Sequence, residues 1–156
     1  MAEEVDAPGV LIHPPIALVL AIVAALALNW FVPLPFTPDG FPRIGLGSLL
    51  IILALVTILW SARTFRGAKT EVLTSRPAST IVSHGPYRFS RNPIYIAMFL
   101  GMAGLALLLN TLWLVVAMLV IFAVLRFGVV AREEAYLERK FGQTYTDYKS
   151  RVRRWL

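Results

Sequence analysis

Two short clusters of polar side chains stand out in this 156-residue chain, because each adjoins a long apolar run. The first cluster, SHGPYRFSRNPIY (residues 83–95), contains Pro93 near its end, and a proline suits the first turn of a helix. Asn92 can cap that helix. A helix N-terminus attracts anionic groups through its free N–H donors and its dipole, and Arg91 adds a fork of donors for a carboxylate or phosphate. The cluster therefore predicts an anion-binding site.

The second cluster contains two adjacent acids, Glu133 and Glu134, at the end of the last apolar run. The macrodipole disfavours negative charge at a helix C-terminus, so a cation should compensate: Arg126, Arg132, the cluster around Arg91 or a cationic ligand. Arg126 precedes Glu133 by seven residues, which places both on one face of a regular helix. Taken alone, either cluster also fits a simple interfacial role, with arginines on lipid phosphates and solvated acids.

The rest of the chain is mostly apolar, with 58% hydrophobic and 15% charged residues, against about 45–50% and 25% in soluble proteins. Apolar runs predict membrane spans at residues 16–32 and 44–60. Residues 92–125 carry no charge and would form a helix of about 51 Å, too long for one crossing of a hydrocarbon layer of about 30 Å. We place a turn at Asn110 and Thr111, which gives a hairpin of spans 94–109 and 112–130.

The sequence thus predicts an all-α integral membrane protein: a single membrane domain over residues 1–156, with about four transmembrane helices and a helical C-terminal tail. Of its 15 Lys and Arg residues, six lie in residues 61–92 and seven in residues 131–156. Four spans place the N-terminus, this basic loop and the tail on one side, which the positive-inside rule makes cytoplasmic. Basic residues that flank spans predict membrane lipids, not nucleic acid, as partners.

The hairpin returns the chain to the membrane face that it left, so it brings Arg91 and Tyr95 near Glu133 and Glu134. A pocket flanked by an anion-binding group and an acidic group suits a zwitterionic ligand that carries a carboxylate and an amine or sulfonium. The chain has no cysteine and two histidines. We therefore expect no cysteine nucleophile and no multi-histidine metal site.

The run HGPYR…RNPIY (residues 84–95), followed after a hairpin by REEAYL…FGQTYTDY (residues 132–148), resembles the isoprenylcysteine carboxyl methyltransferase and phospholipid methyltransferase superfamily. The resemblance covers about residues 81–152. It implies S-adenosylmethionine as cofactor, bound by cytoplasmic elements at about residues 80–95 and 131–152. Asn92 stands where the family commonly has histidine. By motif position, the implied cofactor site comprises Val82, His84, Gly85, Tyr87, Arg91, Asn92, Pro93, Tyr95, Glu133 and Glu134.

These features predict an S-adenosylmethionine-dependent membrane methyltransferase whose lipophilic acceptor, an isoprenylcysteine-like carboxylate or a lipid amine, arrives from the membrane. Methyl transfer mainly requires that donor and acceptor are held in line. Arg91 and Glu134 are the candidate catalytic residues. Arg91 would hold a carboxylate, and Glu134 would hold the cofactor amine or ribose or, like His84, take a proton from an amine or thiol acceptor.

Two other functions stay open at this point. The same fold is used by membrane reductases that bind NADPH, so fold alone does not decide the reaction. A reductase would need a basic pocket for the 2′-phosphate, for which Arg76 and Arg88 are candidates. A non-catalytic membrane protein, with its basic loop on anionic lipid, is the third possibility.

Overall fold

The computed structural model describes residues 9–10, 12–68 and 78–156, and within them the chain is helical, without a strand. The all-α fold class is therefore confirmed. A short 3₁₀ helix over Gly85–Arg88 precedes α3. The five longer helices are α1 (Pro14–Phe31), α2 (Arg43–Gly67), α3 (Pro93–Leu109), α4 (Leu112–Phe141) and α5 (Gln143–Arg151).

Three of these helices, α1, α2 and α4, are long and apolar enough to cross a membrane, whereas α3 is a shorter apolar helix of 17 residues. Most large apolar side chains of α1 and α2 are exposed, including Val19, Leu20, Ile52 and Leu55. Water-soluble surfaces rarely carry apolar patches of that extent, whereas lipid accommodates them. The chain is thus a membrane protein, and the crossing by α3 stays a prediction.

The predicted boundaries agree closely with α1, α3 and the start of α4, but α2 continues to Gly67, seven residues beyond the predicted end of its span. Arg63 and Arg66 end the apolar run without ending the helix, because helical backbone bonds do not depend on side-chain polarity. Thr64 donates its hydroxyl to the Trp60 carbonyl at 2.9 Å inside this extension. The extended end of α2 forms one wall of the site described below.

The turn between α3 and α4 falls at Asn110, as predicted, and Asn110 adopts a left-handed conformation with φ of 47°. Its side-chain oxygen accepts hydrogen bonds from the backbone N–H groups of Phe36 and Thr37, each at 3.0 Å, and from the Thr37 hydroxyl at 2.9 Å. Asparagine tolerates the left-handed conformation better than most residues. One side chain thus joins the hairpin turn to the loop between α1 and α2.

Helices α2 and α3 pack closely through two glycines. A Cβ atom on Gly47 would lie 2.9 Å from the Gly104 carbonyl oxygen, and one on Gly104 would lie 2.8 Å from the Gly47 carbonyl oxygen. Small residues permit such backbone approach between membrane helices. The hairpin is held on its other side by α1, whose Ala17 packs in one apolar cluster with Leu125 and Val129 of α4.

Helix α4 is α-helical over Leu112–Val124, π-helical over Leu125–Val130 and α-helical again over Ala131–Phe141. Arg126 lies inside the π segment, whose i→i+5 bonds change the register, so the expectation that Arg126 and Glu133 share the face of a regular helix is wrong. The Arg126 guanidinium instead lies 5.5 Å from the Phe127 ring. The acids also lie inside a continuing helix, not at its C-terminus, so the macrodipole argument does not apply.

The tail forms two helical stretches, Ala131–Phe141 and α5, which Gly142 separates at a positive φ of 51°. The sequence predicts a helical tail, and the structure divides that tail at Gly142. After α5 the chain turns back, so that residues 153–156 run along the start of α3. We call residues 153–156 the tail segment.

Candidate functional site

A cavity of about 370 Å³ lies at the foot of the hairpin, where α3 begins and the α-helical end of α4 follows the π segment. Its walls are the start of α1, the end of α2, residues 80–82, the 3₁₀ helix and the first turns of α3, together with α4 and α5. The volume lies within the roughly 300–1,000 Å³ of small-molecule sites. The hairpin brings Arg91, Tyr95, Glu133 and Glu134 to this one cavity, as the sequence predicts.

Glu134 is enclosed by two arginines. Its Oε1 accepts from Arg154 Nε at 2.9 Å and its Oε2 from Arg154 Nη2 at 2.7 Å, while Arg91 Nη1 lies 3.2 Å from Oε1. Glu134 is 6% exposed, and a carboxylate so buried is stable only when paired. The Glu134 hydrogen bonds raise the pKa of Arg154 above its usual value, so the fork stays charged at neutral pH.

Arg91 is positioned through its backbone and side chain at once. Its N–H donates to the Arg153 carbonyl at 3.0 Å, and its Nη1 approaches the Tyr145 hydroxyl at 3.4 Å. The side chain is 10% exposed. Its Nε is buried and has no hydrogen-bond partner among the described residues. Buried donors are nearly always paired, so an unpaired Nε on a residue that lines the cavity is an exception that an acceptor in the site would remove.

The two acids have different surroundings. The Tyr95 hydroxyl donates to Glu133 Oε1 at 2.8 Å, whereas Glu134 is bound by both arginines. Within the described residues, Glu133 forms no ion pair. Glu133 therefore lines the cavity without an ion-pair partner among the described residues, which suits a positively charged ligand group.

Three tyrosines complete the polar wall: Tyr87 on the 3₁₀ helix, and Tyr145 and Tyr148 on α5. The Tyr148 hydroxyl donates to the Tyr87 carbonyl at 2.8 Å, and the Tyr87 ring meets Phe65 edge-on at 5.0 Å. Burial raises the pKa of Tyr145 to about 12, and it raises the pKa of Tyr87 and Tyr148 as well. All three hydroxyls are thus neutral hydrogen-bonding groups at physiological pH.

The remaining residues of the predicted cofactor site divide in two. Val82, Asn92 and Pro93 line the cavity, whereas His84 is exposed and, with Gly85, lies outside the lining. Gly85 has φ of 61°, and a Cβ there would lie 2.6 Å from Thr64 Oγ1. Its absent side chain thus permits the 3₁₀ helix to pack on α2, while a cofactor role for His84 stays a prediction.

Asn92 stands at the N-cap position of α3, as expected, but its side chain makes no capping hydrogen bond. Its amide instead donates to the Arg154 carbonyl at 2.9 Å, and its N–H donates to the Ser90 hydroxyl at 3.1 Å. The capping interpretation is therefore wrong: the amide nitrogen is bound to the tail segment, and the side-chain oxygen accepts no N–H of the first turn of α3.

Sequence reasoning missed several residues of this site. Arg154, 20 residues beyond Glu134, carries no motif that links the two. Tyr145 and Tyr148 recur at helical spacing, which indicates a common face but not the cavity. His13 lines the cavity from the start of α1. The one sequence signal for it is the predicted topology, which places the start of α1 and the foot of the hairpin on the same side of the membrane.

The candidate residues for an NADPH phosphate are not brought together in the described structure. Arg88 is exposed and lies 4.4 Å from the Phe89 ring, outside the cavity lining. Arg76 lies outside the described residues. Among the described residues, Arg91 is the lysine or arginine that lines the cavity.

Comparison with known proteins gives three curated relatives. The chain is 31% identical over 107 residues to the nickel-cobalt-cadmium resistance protein of Alcaligenes xylosoxydans xylosoxydans, covering 68% of this chain and 46% of that protein. It is 30% identical over 124 residues to the cobalt-zinc-cadmium resistance protein of Cupriavidus metallidurans, covering 80% and 50%. An uncharacterized protein of Haemophilus influenzae is 46% identical over 57 residues, covering 33% and 90%. The chain spans about half the length of the two resistance proteins.

A family match supplies the assignment that these relatives leave open. The family model for phospholipid methyltransferase matches residues 42–144. The matched residues are most of the chain, from α2 through the hairpin to the first turn of α5, and they include Arg91, Tyr95 and both acids. The chain therefore belongs to the phospholipid methyltransferase family, a family of membrane methyltransferases.

Proposed function

We propose that this protein transfers a methyl group from S-adenosylmethionine to a lipophilic acceptor that enters from the bilayer. The observation that carries the proposal is the charge arrangement at the hairpin foot. Arg91 lines the cavity with an unpaired Nε, and Glu133 lines it without an ion-pair partner among the described residues. A ligand with one carboxylate and one cationic group matches both.

The residues present fit this cofactor. Arg91 would bind the carboxylate of its methionine part, for which guanidinium has the matching geometry. Glu133 would face the amine or the sulfonium. The rings of Tyr87, Tyr145 and Tyr148 offer aromatic surface and neutral hydroxyls for the remainder, in keeping with sites that combine apolar walls with a few polar groups.

The structure changes the role that we propose for Glu134. Both of its oxygens already accept from arginines, so it is poorly suited to take a proton from an acceptor. We propose that Glu134 pairs with the two arginines and takes no proton, and that Glu133 is the better candidate for a base when the acceptor is an amine. A carboxylate acceptor is ionised at neutral pH and needs no base.

When bound, S-adenosylmethionine supplies a methyl carbon whose bond to sulfur breaks as the acceptor heteroatom forms the new bond, the old electron pair remaining on sulfur. The protein contributes alignment and exclusion of water. Apolar side chains of Ile16, Phe65, Ile94 and Met98 also line the cavity. We propose that the acceptor's reactive group enters along these side chains, an isoprenylcysteine-like carboxylate or a lipid amine being the two candidates.

The proposed topology follows from the same arrangement. The cavity is lined by residues from near the N-terminus, from the basic loop and from the tail. Four membrane crossings would place all three on one side of the membrane. We propose that this side is cytoplasmic, where basic residues concentrate, and that residues 1–156 act as one membrane domain. Single-cysteine variants on this cysteine-free chain, labelled from either side of sealed vesicles, test the orientation.

Calorimetric titration of the detergent-purified protein tests the cofactor. We expect saturable binding of S-adenosylhomocysteine, the product form, and none of NADPH. Arg91→Ala should weaken this binding, and Arg88→Ala is the matched control because it removes an exposed arginine outside the cavity. Binding of NADPH but not of S-adenosylhomocysteine would support the reductase, and binding of neither would support a non-catalytic protein.

The acceptor is tested separately by mass spectrometry of membrane lipids incubated with the protein and methyl-labelled S-adenosylmethionine. We expect label in a prenylated carboxylate or in an amine-bearing lipid. The Arg91→Ala variant provides the matched negative control. Label found in water-soluble material alone would contradict a lipophilic acceptor.

A further inference from the structure

The tail segment is attached to both feet of the hairpin. The Arg153 carbonyl accepts from Arg91 N–H at 3.0 Å, and the Arg154 carbonyl accepts from Asn92 Nδ2 at 2.9 Å and Ser90 Oγ at 3.2 Å. The Trp155 ring contacts Phe99 of α3 and Phe122 of α4, with ring centroids 6.2 and 5.5 Å away. These contacts fix the position of Arg154 relative to α3 and α4.

From that position Arg154 forms a two-pronged ion pair with Glu134, at 2.9 and 2.7 Å, whereas Arg91 reaches the same carboxylate with one nitrogen at 3.2 Å. The site thus holds two acids and two arginines. Glu134 would still have a strong partner if Arg91 moved to another anion. Without Arg154, however, Arg91 would be the sole cation in contact with a carboxylate that is 6% exposed.

We propose that Arg154 is a positioning residue: it neutralises Glu134 so that Arg91 can bind the carboxylate of the cofactor. This inference rests on the proposed function. Removing one partner from a buried ion pair leaves the other charge uncompensated, which is costly. In a protein without Arg154, Glu134 would become an unpaired buried carboxylate whenever Arg91 left it to bind the ligand. That loss of pairing would lower the affinity for the ligand.

The decisive variants form a double-mutant cycle at positions 134 and 154. S-adenosylhomocysteine affinity is measured by titration in detergent for the wild type, Arg154→Ala, Glu134→Gln and Glu134→Gln/Arg154→Ala. Arg153→Ala is the matched control, because Arg153 is an exposed neighbour whose contribution to the site is its backbone carbonyl. A thermal melt of each variant records whether it is folded.

We expect Arg154→Ala to lower the affinity for S-adenosylhomocysteine about tenfold or more, within the usual range of coupling between neighbouring sites. In the Glu134→Gln background, where no buried carboxylate holds Arg91, the same substitution should change affinity less than threefold, by the logic of the cycle. Arg153→Ala should bind as the wild type does. Arg154→Lys should lie between wild type and Arg154→Ala, because an ammonium cannot reproduce the fork.

A purely structural role for Arg154 predicts a different pattern. If Arg154 only anchored the tail segment, its loss would weaken binding equally with Glu or Gln at position 134, which would overturn the proposal. The ligand 5′-methylthioadenosine, which lacks the carboxylate and the amine, gives a second readout: its affinity should be nearly equal in wild type and Arg154→Ala.

The failure of this inference and of the proposed function are distinguishable. If wild-type protein binds no S-adenosylhomocysteine, the proposed function is wrong, and the role assigned to Arg154 is overturned with it. If the wild type binds and the cycle shows no coupling, only the role of Arg154 is wrong. Should Arg154→Ala not fold, the Arg154→Lys variant in both backgrounds gives the same comparison, and absence of coupling there overturns the inference.

Discussion

The two ends of the α3–α4 hairpin are built differently. At the turn, one neutral side chain, Asn110, accepts three hydrogen bonds. At the foot, Arg91, Arg154, Glu133 and Glu134 meet beside a cavity, and Arg91 Nε stays unpaired among the described residues. Buried charges add little stability compared with well-packed apolar groups. The turn is therefore arranged for stability, and the foot for binding.

The largest expected effect is at the foot. Arg91→Ala should weaken S-adenosylhomocysteine binding about 100-fold, because it removes a charge-assisted bond to a carboxylate and this loss corresponds to about 2.7 kcal/mol. Titration measures the affinity, and the melting temperature in detergent shows that the fold is intact. An Arg91→Ala protein that binds as the wild type does would show that the carboxylate lies elsewhere.

The reverse pattern is expected at the turn. Asn110→Ala removes the acceptor of three hydrogen bonds and places alanine at positive φ, so we expect a loss of about 2 kcal/mol in the free energy of unfolding. Ligand affinity should stay within twofold of the wild type once the protein is folded. Unfolding in mixed micelles and titration below the transition measure the two quantities. A loss of ligand affinity in the folded Asn110→Ala protein would contradict the view that the turn affects stability and the foot affects binding.

Tyr95→Phe gives a smaller effect and distinguishes the two acids. The change removes the hydroxyl that holds Glu133 Oε1 at 2.8 Å while the ring can stay packed. We expect about a fivefold loss of S-adenosylhomocysteine affinity, corresponding to about 1 kcal/mol for one hydrogen bond to a charged group. Tighter binding by the variant would contradict a role for Glu133 in holding the cationic group.

Tyr148→Phe should have the smallest effect of the four. Its hydroxyl donates to the Tyr87 carbonyl, so its loss leaves a buried acceptor unpaired and should lower stability by about 1 kcal/mol. Because this bond joins α5 to the 3₁₀ helix and leaves the charges unchanged, affinity should fall less than in Tyr95→Phe. A larger loss of affinity than in Tyr95→Phe would show that the Tyr148 hydroxyl itself contacts the ligand.

The sequence predicts the helices well where apolarity and backbone breaks coincide. Prolines 14 and 93 start α1 and α3, and Asn110 ends α3. The prediction fails for the end of α2, because Arg63 interrupts the apolar run but not the helix. It also fails for the π segment at Leu125–Val130, because the amino-acid composition of this segment does not distinguish π-helix from α-helix.

The part of the site that the sequence predicts is the part formed by the two motifs at the ends of the hairpin. Arg91 and the two acids meet because a hairpin returns to the face that it left. Arg154 is not predictable in this way, since its pairing with Glu134 depends on how the chain turns after α5. Glu134 has two cations beside it: Arg91, which the sequence analysis names as a candidate, and Arg154, which it does not. Arg126, the candidate named first, lies against the Phe127 ring instead.

The most direct test locates the cofactor on the chain. Purified protein is irradiated with radiolabelled S-adenosylmethionine, with and without excess S-adenosylhomocysteine, and the labelled peptides are identified by mass spectrometry. The account predicts competable label in peptides that contain residues 80–95 or 131–148 and none in the peptide around Asn110. Competable label at the turn end, or label at the foot that excess S-adenosylhomocysteine does not displace, would contradict it.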